Sequence, residues 1–223
     1  MISDFITIRP ISADEWLPDR CLNGIGAFDP NSNLPEPGCP GLSYTNKYNR
    51  EGLAQLYRKT IDKYGGCRFV AWDKDKVVAY HNFFPLEVAQ KLKFYGYGFG
   101  LRQRNKTLIH NCLTIVKGSY LHKGISSQLV RHSINWAREN NWERFEVHFV
   151  LLDCDLVWQY DQKSCLSFWK KFGFEIFDEY EADEAAKQFY GIPKRYSMYL
   201  SLDKGVKQQH RLTNNNDRSI KKT

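Results

Sequence analysis

Between Thr107 and Leu152 the chain runs without a break from the nearly apolar TLIHNCLTIV through a loop into ISSQLVRHSINWARE, and then into RFEVHFVLL. A strand as apolar as the first of these has no side suited to water, so it belongs in the centre of a sheet with both faces covered. Ile125, Leu129, Ser133, Trp136 and Ala137 recur at helical spacing, which predicts a helix laid on that sheet by one stripe. Phe145, Val147, Phe149 and Leu151 alternate, which predicts a strand with those four on one side. Strand, helix and strand in this order call for a layered α/β arrangement.

The flanking sequence extends the pattern. DFITIRPIS reads as a first strand that stops at Pro10. NREGLAQLYRKTIDKYGG places Leu53, Leu56, Tyr57 and Ile61 on one helical face, closed by Gly65 and Gly66. CRFVAWDKDKVVAYHNFFP is a hairpin, two strand-like runs joined by the polar DKDK. A short helix starts at Leu86, and the Gly/aromatic run YGYGFG follows it. KSCLSFWKKFG sets Cys165, Phe168, Trp169 and Phe172 on one helical face and ends at Gly173. FEIFDEY and RYSMYLSL are two closing strands. The order predicts one mixed α/β (α+β) domain over residues 1–203, with a mostly antiparallel central sheet of six to seven strands flanked by helices. The segment from Pro18 to Gly41 holds five prolines and four glycines and reads as a lid or specificity loop.

Charge and cysteine content narrow the function classes. Of the net +7, the tail from Lys204 onward supplies +5, from six Lys/Arg and one Asp. That tail is polar, has no aromatics and reads as a disordered appendage over 204–223, so the body, near +2, shows no dedicated nucleic-acid face. Six cysteines are scattered with no CxxC pair, which points to buried free thiols and to no metal site. No run approaches the ~18 apolar residues of a membrane helix, and the first residues lack a signal-peptide pattern. The expectation is a cytoplasmic protein without membrane contact.

The loop YLHKGISS is the chemically suggestive feature. A helix start leaves its first N–H groups unpaired and carries partial positive charge, so it suits phosphate. One glycine before a helix is also an ordinary turn, and Ser126 and Ser127 are ordinary N-cap residues. The loop matches neither a P-loop nor a GxGxxG dinucleotide fingerprint.

Taken with its context, the loop resembles a known family. CLTIVKGSYLHKGISSQLVRHSINWARENNWERFEV followed by CLSFWKKFGFEIF is similar to the GCN5-related N-acetyltransferase (GNAT) superfamily. That family shows an apolar strand, an R/Q-x-x-G-x-G/A loop, a helix, a strand and a late FYxKxGF block. The loop motif falls on Leu121, His122, Lys123, Gly124, Ile125 and Ser126, and the late block on Phe168 to Phe174. The resemblance spans most of residues 5–201. Leu121 stands where the family has Arg or Gln, and Ser126 where it has a second small residue; neither change removes a backbone donor.

The resemblance implies acetyl-CoA as cosubstrate and no metal. Backbone amides of Leu121 to Ser127 would hold the pyrophosphate, with Lys123 adding charge. The pantetheine arm would lie along Leu113, Thr114, Ile115 and Val116. Some family members carry a glutamate base eleven residues before the loop's Arg/Gln, a position held here by His110. An imidazole with a reference pKa of about 6.5 suits that work; a core histidine is the alternative reading of the same residue. His148 on the next strand is a second candidate. The family's thiolate-protonating tyrosine is Trp169 here, Tyr160 is a substitute acid, and Gln162 stands where the family often has asparagine.

The implied reaction is acetyl transfer to a primary amine, of a small molecule or a peptide, by direct attack in a ternary complex, by a monomer or homodimer. Two other readings stand beside it: a non-catalytic acyl-CoA-binding or sensor module, and a nucleic-acid binder driven by the basic tail. Asp153 and Asp155 are candidates to attract a cationic acceptor.

Overall fold

The computed structural model describes residues 6–12, 50–66, 68–92, 106–115, 118–153, 165–182, 184, 187–188, 191 and 193–202. The elements in chain order are β1 (Ile6–Pro10), α1 (Arg50–Tyr64), β2 (Arg68–Asp73), β3 (Lys76–Pro85), α2 (Leu86–Leu92) and β4 (Thr107–Ile115). A single 3-10 turn (Gly118–Tyr120) leads to α3 (Ile125–Glu139), β5 (Arg144–Leu151), α4 (Leu166–Lys170), β6 (Glu175–Glu181) and β7 (Lys194–Ser201). The seven strands form one sheet in the order β1-β2-β3-β4-β5-β7-β6. Every neighbouring pair is antiparallel except β4 and β5, which are parallel because α3 carries the chain back over the sheet between them. The mixed, mostly antiparallel architecture expected from the sequence is the one observed.

Two apolar layers hold the sheet. On one face α3 buries Ile125, Leu129, Val130, Ser133, Ile134 and Ala137, and α4 buries Leu166, Phe168 and Trp169, against Phe83, Leu108, Leu113 and Phe145. Each of these large side chains contributes roughly 1.5–3 kcal/mol by leaving water. On the other face Ile61 of α1 and Leu86, Val88 and Ala89 of α2 pack with Val70, Tyr80, Phe84 and Ile109. Trp136, expected in the helix stripe, sits at its margin and packs over Gly66, where a Cβ would stand 3.0 Å from the indole. That close approach explains the second glycine after α1.

Register steps interrupt four of the strand pairs, β2/β3, β3/β4, β5/β7 and β6/β7, and two of them bear on the site. Between β3 and β4 the register steps from Asn82↔Cys112 to Phe83↔His110, so Asn111 is an extra residue on β4. Between β5 and β7 it steps from Val147↔Met198 to Val150↔Tyr196. Phe149 in that second bulge has φ +63, and its ring packs with the α1/α2 layer, while Val150 enters the layer beneath α3. The expectation that Phe149 shares a side with Phe145 and Val147 is thereby corrected: the inserted residue reverses the alternation.

The parallel ladder is short. It runs from Thr107↔Arg144 to Ile109↔Glu146 and stops, although β4 continues to Ile115 and β5 to Leu151. The strands diverge just before His110, next to the bulge that bends β4. The same divergence brings β5 beside the start of α4, where Leu151 pairs with Cys165.

Candidate active site

The loop between β4 and α3 is built from backbone geometry. Tyr120 Oη donates to Asp73 Oδ2 at 2.6 Å, tying the loop to the end of β2. Leu121, His122, Lys123 and Gly124 are all exposed, and His122 (φ +59) and Gly124 (φ +76) are left-handed. Gly124 is the N-cap of α3 and offers no side chain to the first-turn amides of Ile125, Ser126 and Ser127. Space around Gly124 is open, so it is the left-handed φ, not crowding, that requires glycine. The two serines expected as caps stand inside the first turn. Ser127 Oγ instead accepts from Lys171 Nζ at 2.9 Å.

Cations gather around this helix start. Lys123 lies over the Tyr120 ring at 5.2 Å, and Arg131 lies over Phe172 at 5.9 Å. Partial burial and, to a smaller degree, the neighbouring Arg131 charge push the Lys171 ammonium below its ordinary pKa. Uncapped amides and three cations suit a polyanion with phosphate groups, which is the chemistry coenzyme A presents.

His110 lies where β4 and β5 diverge, half-buried, edge-on to Trp169 with 4.8 Å between the ring centroids. Its Nδ1 is 2.9 Å from Nε2 of His81, which is fully buried on β3. His81 Nδ1 is in turn 2.8 Å from Ser133 Oγ, and Ser133 donates to the Leu129 carbonyl at 2.9 Å. Burial drives the His81 pKa down to about 3, so that ring is neutral over the physiological range. The sequence alone does not single out His81. Its available signals are a lone histidine in the apolar run of β3 and the polar Ser133 in the buried stripe of α3.

His148 belongs to a different group. It follows Phe145 and Val147 in alternation and so faces the side of the sheet opposite α3. There its Nε2 is 3.2 Å from Glu146 Oε2 and its Nδ1 is 2.8 Å from Ser197 Oγ. Burial by itself would raise the Glu146 carboxyl; hydrogen bonds from His148 and Arg144 outweigh it and hold the group below the usual carboxylate range. The structure does not bring His148 together with His110.

The remaining candidates fall as follows. Leu113 is buried, Thr114 is buried and Ile115 is partly so, all on β4 past the end of the parallel ladder. Trp169 is 1 % exposed and packs edge-on to Phe168 and Phe174 as well as His110. Asp153 Oδ1 accepts from the Ser167 amide at 3.1 Å, which makes it a cap for α4. Val116, Tyr160, Gln162, Asp155, the loop expected over 18–41, YGYGFG and the 204–223 tail lie outside the described residues. Among the described residues no cluster of three His, Cys, Asp or Glu is placed to hold a metal, and Cys112 and Cys165 are free thiols. No described helix is long and apolar enough to cross a membrane.

A mixed sheet that opens between its two parallel strands, beside a helix start receptive to phosphate, marks out the acyl-CoA-dependent acyltransferases as a class. The chain belongs to the GNAT family of acetyltransferases: the model for the Acetyltransferase (GNAT) family matches residues 39–174. Solved structures agree on the fold. A GNAT-family acetyltransferase from Streptococcus pneumoniae superposes with a TM-score of 0.55 at 13% identity, covering 89% of this chain and 99% of that one. The Salmonella typhimurium protein yncA, solved with its cofactor acetyl-CoA, gives 0.55 at 12% identity, covering 91% and 97%. The Escherichia coli ribosomal-protein-S18-alanine N-acetyltransferase gives 0.50 at 10% identity, with the same coverage of 91% and 97%. No curated protein matches the sequence significantly.

Proposed function

We propose that this acetyltransferase moves an acetyl group from acetyl-CoA to a primary amine, on a small molecule or a peptide, by direct attack within a ternary complex. The observation that carries the reading is the position of His110 where β4 and β5 diverge, on the strand that leads into the cation-ringed loop. Acetyl-CoA supplies the activated acyl group as a thioester. Amides of Leu121 to Ser127 hold its pyrophosphate, with Lys123 and Lys171 close by. Main-chain groups of Leu113, Thr114, Ile115 and Val116 receive the pantetheine arm along β4.

His110 takes a proton from the acceptor ammonium, because only the free amine attacks a thioester. The new N–C bond forms as the C–S bond breaks, and an N–H of the 113–115 backbone faces the carbonyl oxygen as charge builds there. The nitrogen gives up its second proton to water as the amide forms, and the departing thiolate takes a proton from Tyr160 or from water. Residues 1–203 act as one domain with an appended basic tail, in the cytoplasm.

The test follows free thiol as the protein is incubated with acetyl-CoA and a panel of amines and peptides. Thiol release with an amine, and its loss in His110→Ala, is the expected result. A second reading has one observation in its favour: Trp169, where the family has tyrosine, is buried among aromatic rings. It is an acyl-CoA-binding module without turnover, and tight acetyl-CoA binding by calorimetry with no thiol release from any amine would establish it.

A further inference from the structure

We propose that His81 is a positioning residue for His110: seated between Ser133 and His110, it holds the His110 ring as the Nδ1–H form and places the proton-accepting lone pair on Nε2. The proposal rests on the reading of His110 as the base and deepens it.

The hydrogens can be followed along the chain of contacts. Ser133 has one hydroxyl proton, and the Leu129 carbonyl 2.9 Å away takes it. The Ser133 oxygen therefore accepts from His81, so His81 carries its proton on Nδ1. With no exposure to water, His81 stays neutral, which leaves its Nε2 as an acceptor. The group 2.9 Å from that nitrogen is His110 Nδ1, which must then donate. In the neutral His110 ring the lone pair falls on Nε2, on the side of the ring turned from His81.

The arrangement is more than packing. A free imidazole in water favours the Nε2–H form, in which Nε2 has no lone pair to accept a proton. Two contacts hold His81 itself in place: its ring stacks on Phe145 at 5.9 Å with 6° between the planes, and it tilts against Phe83 at 5.5 Å. The register of β3 on β4, with Asn111 as the extra residue, puts His81 and His110 on the same side of the sheet. A neutral partner fixes the tautomer without adding a negative charge beside the base.

The test reads the tautomer directly, in protein without ligand. Long-range proton–nitrogen spectra of histidine-labelled protein at neutral pH should show both His81 and His110 with protonated Nδ1 and unprotonated Nε2. In His81→Leu, His110 should revert to the Nε2–H form. His81→Gln sets an amide oxygen near the position of Nε2 and should restore the Nδ1–H form. With an amine found by thiol release, His81→Leu should lower kcat several-fold with the KM for acetyl-CoA unchanged, and His81→Gln should recover most of the loss. Wild-type His110 in the Nε2–H form would overturn the proposal, and so would an unchanged tautomer or an unchanged kcat in His81→Leu. Should no amine be acetylated, the transferase reading fails by itself, and the wild-type and His81→Gln spectra still decide this one.

Discussion

Lys171 Nζ donates to Ser127 Oγ at 2.9 Å, joining the residue after α4 to the first turn of α3. The contact couples the two motifs that stand 44 residues apart in the sequence, the glycine loop and the late FWKKFGF block. It also holds an ammonium beside the uncapped amides. Lys171→Ala is expected to weaken acetyl-CoA binding several-fold, about what one partly exposed charge contributes. Ser127→Ala keeps every backbone donor and should change affinity much less. Calorimetric titration of both variants checks the pair, and an equal loss in each would show that side chains rather than amides carry the site.

Gly124 offers a test of the loop backbone. At φ +76 an alanine costs about 1 kcal/mol, since open space around the position adds no clash. Gly124→Ala should lower Tm by roughly 2–4 °C, and Gly124→Val by more, because a β-branched residue tolerates that region least. Differential scanning calorimetry reads both. Equal melting temperatures for wild type and Gly124→Val would mean that the loop is not left-handed at this residue.

His81 predicts an acid-sensitive fold. Its folded pKa of about 3 lies below the ordinary 6.5, so the unfolded chain binds the extra proton between those values. Stability is therefore full above pH 6.5 and falls as the pH drops towards 3, by an upper limit on the order of 4 kcal/mol. His81→Gln does not titrate and should flatten the decline between pH 6.5 and 4.5, measured by urea midpoints. Glu146, held below the usual carboxylate range, also loses its contribution on acidification, but only as the pH falls below that range. Glu146→Gln should lower stability at all higher pH and remove the pH dependence only in that lower stretch of the curve. A decline from pH 6.5 to 4.5 that persists in His81→Gln would contradict the burial of His81.

Trp169 joins the core to the candidate base. Truncation to alanine leaves a cavity under His110 and costs roughly 3–5 kcal/mol, enough to threaten folding in a chain of ordinary stability. Trp169→Phe keeps ring contacts with Phe168 and Phe174 and should cost far less. Urea denaturation of both variants gives the comparison; a small loss in Trp169→Ala would place the indole outside the core.

Much of the fold is legible because its signals are local. The hairpin turn at DKDK, the start of α2 at Leu86, the stripe of α3 and the left-handed Gly173 after α4 each depend on a few neighbouring residues. The bulges are not legible. An extra residue at Asn111 or near Phe149 is a property of two paired strands, and the alternation RFEVHFVLL shows no sign of it. Capping misleads for a related reason. Two serines at a helix start look like caps, and only the backbone path shows that Gly124 holds that position.

The sequence by itself determined the order of elements, the glycine loop, the late aromatic block and the strand that carries His110. Periodicity and turn chemistry act over a few residues, so they survive in a linear reading. Tertiary structure alone decided that β4 and β5 diverge beside His110, that Lys171 reaches Ser127, that His148 faces away from α3, and that His81 and Ser133 stand behind His110. His81 and Ser133 are 52 residues apart, and each alone is an ordinary polar residue in an apolar element. Burial away from water is what forces such groups to pair, and which partner each finds depends on strand register and helix docking.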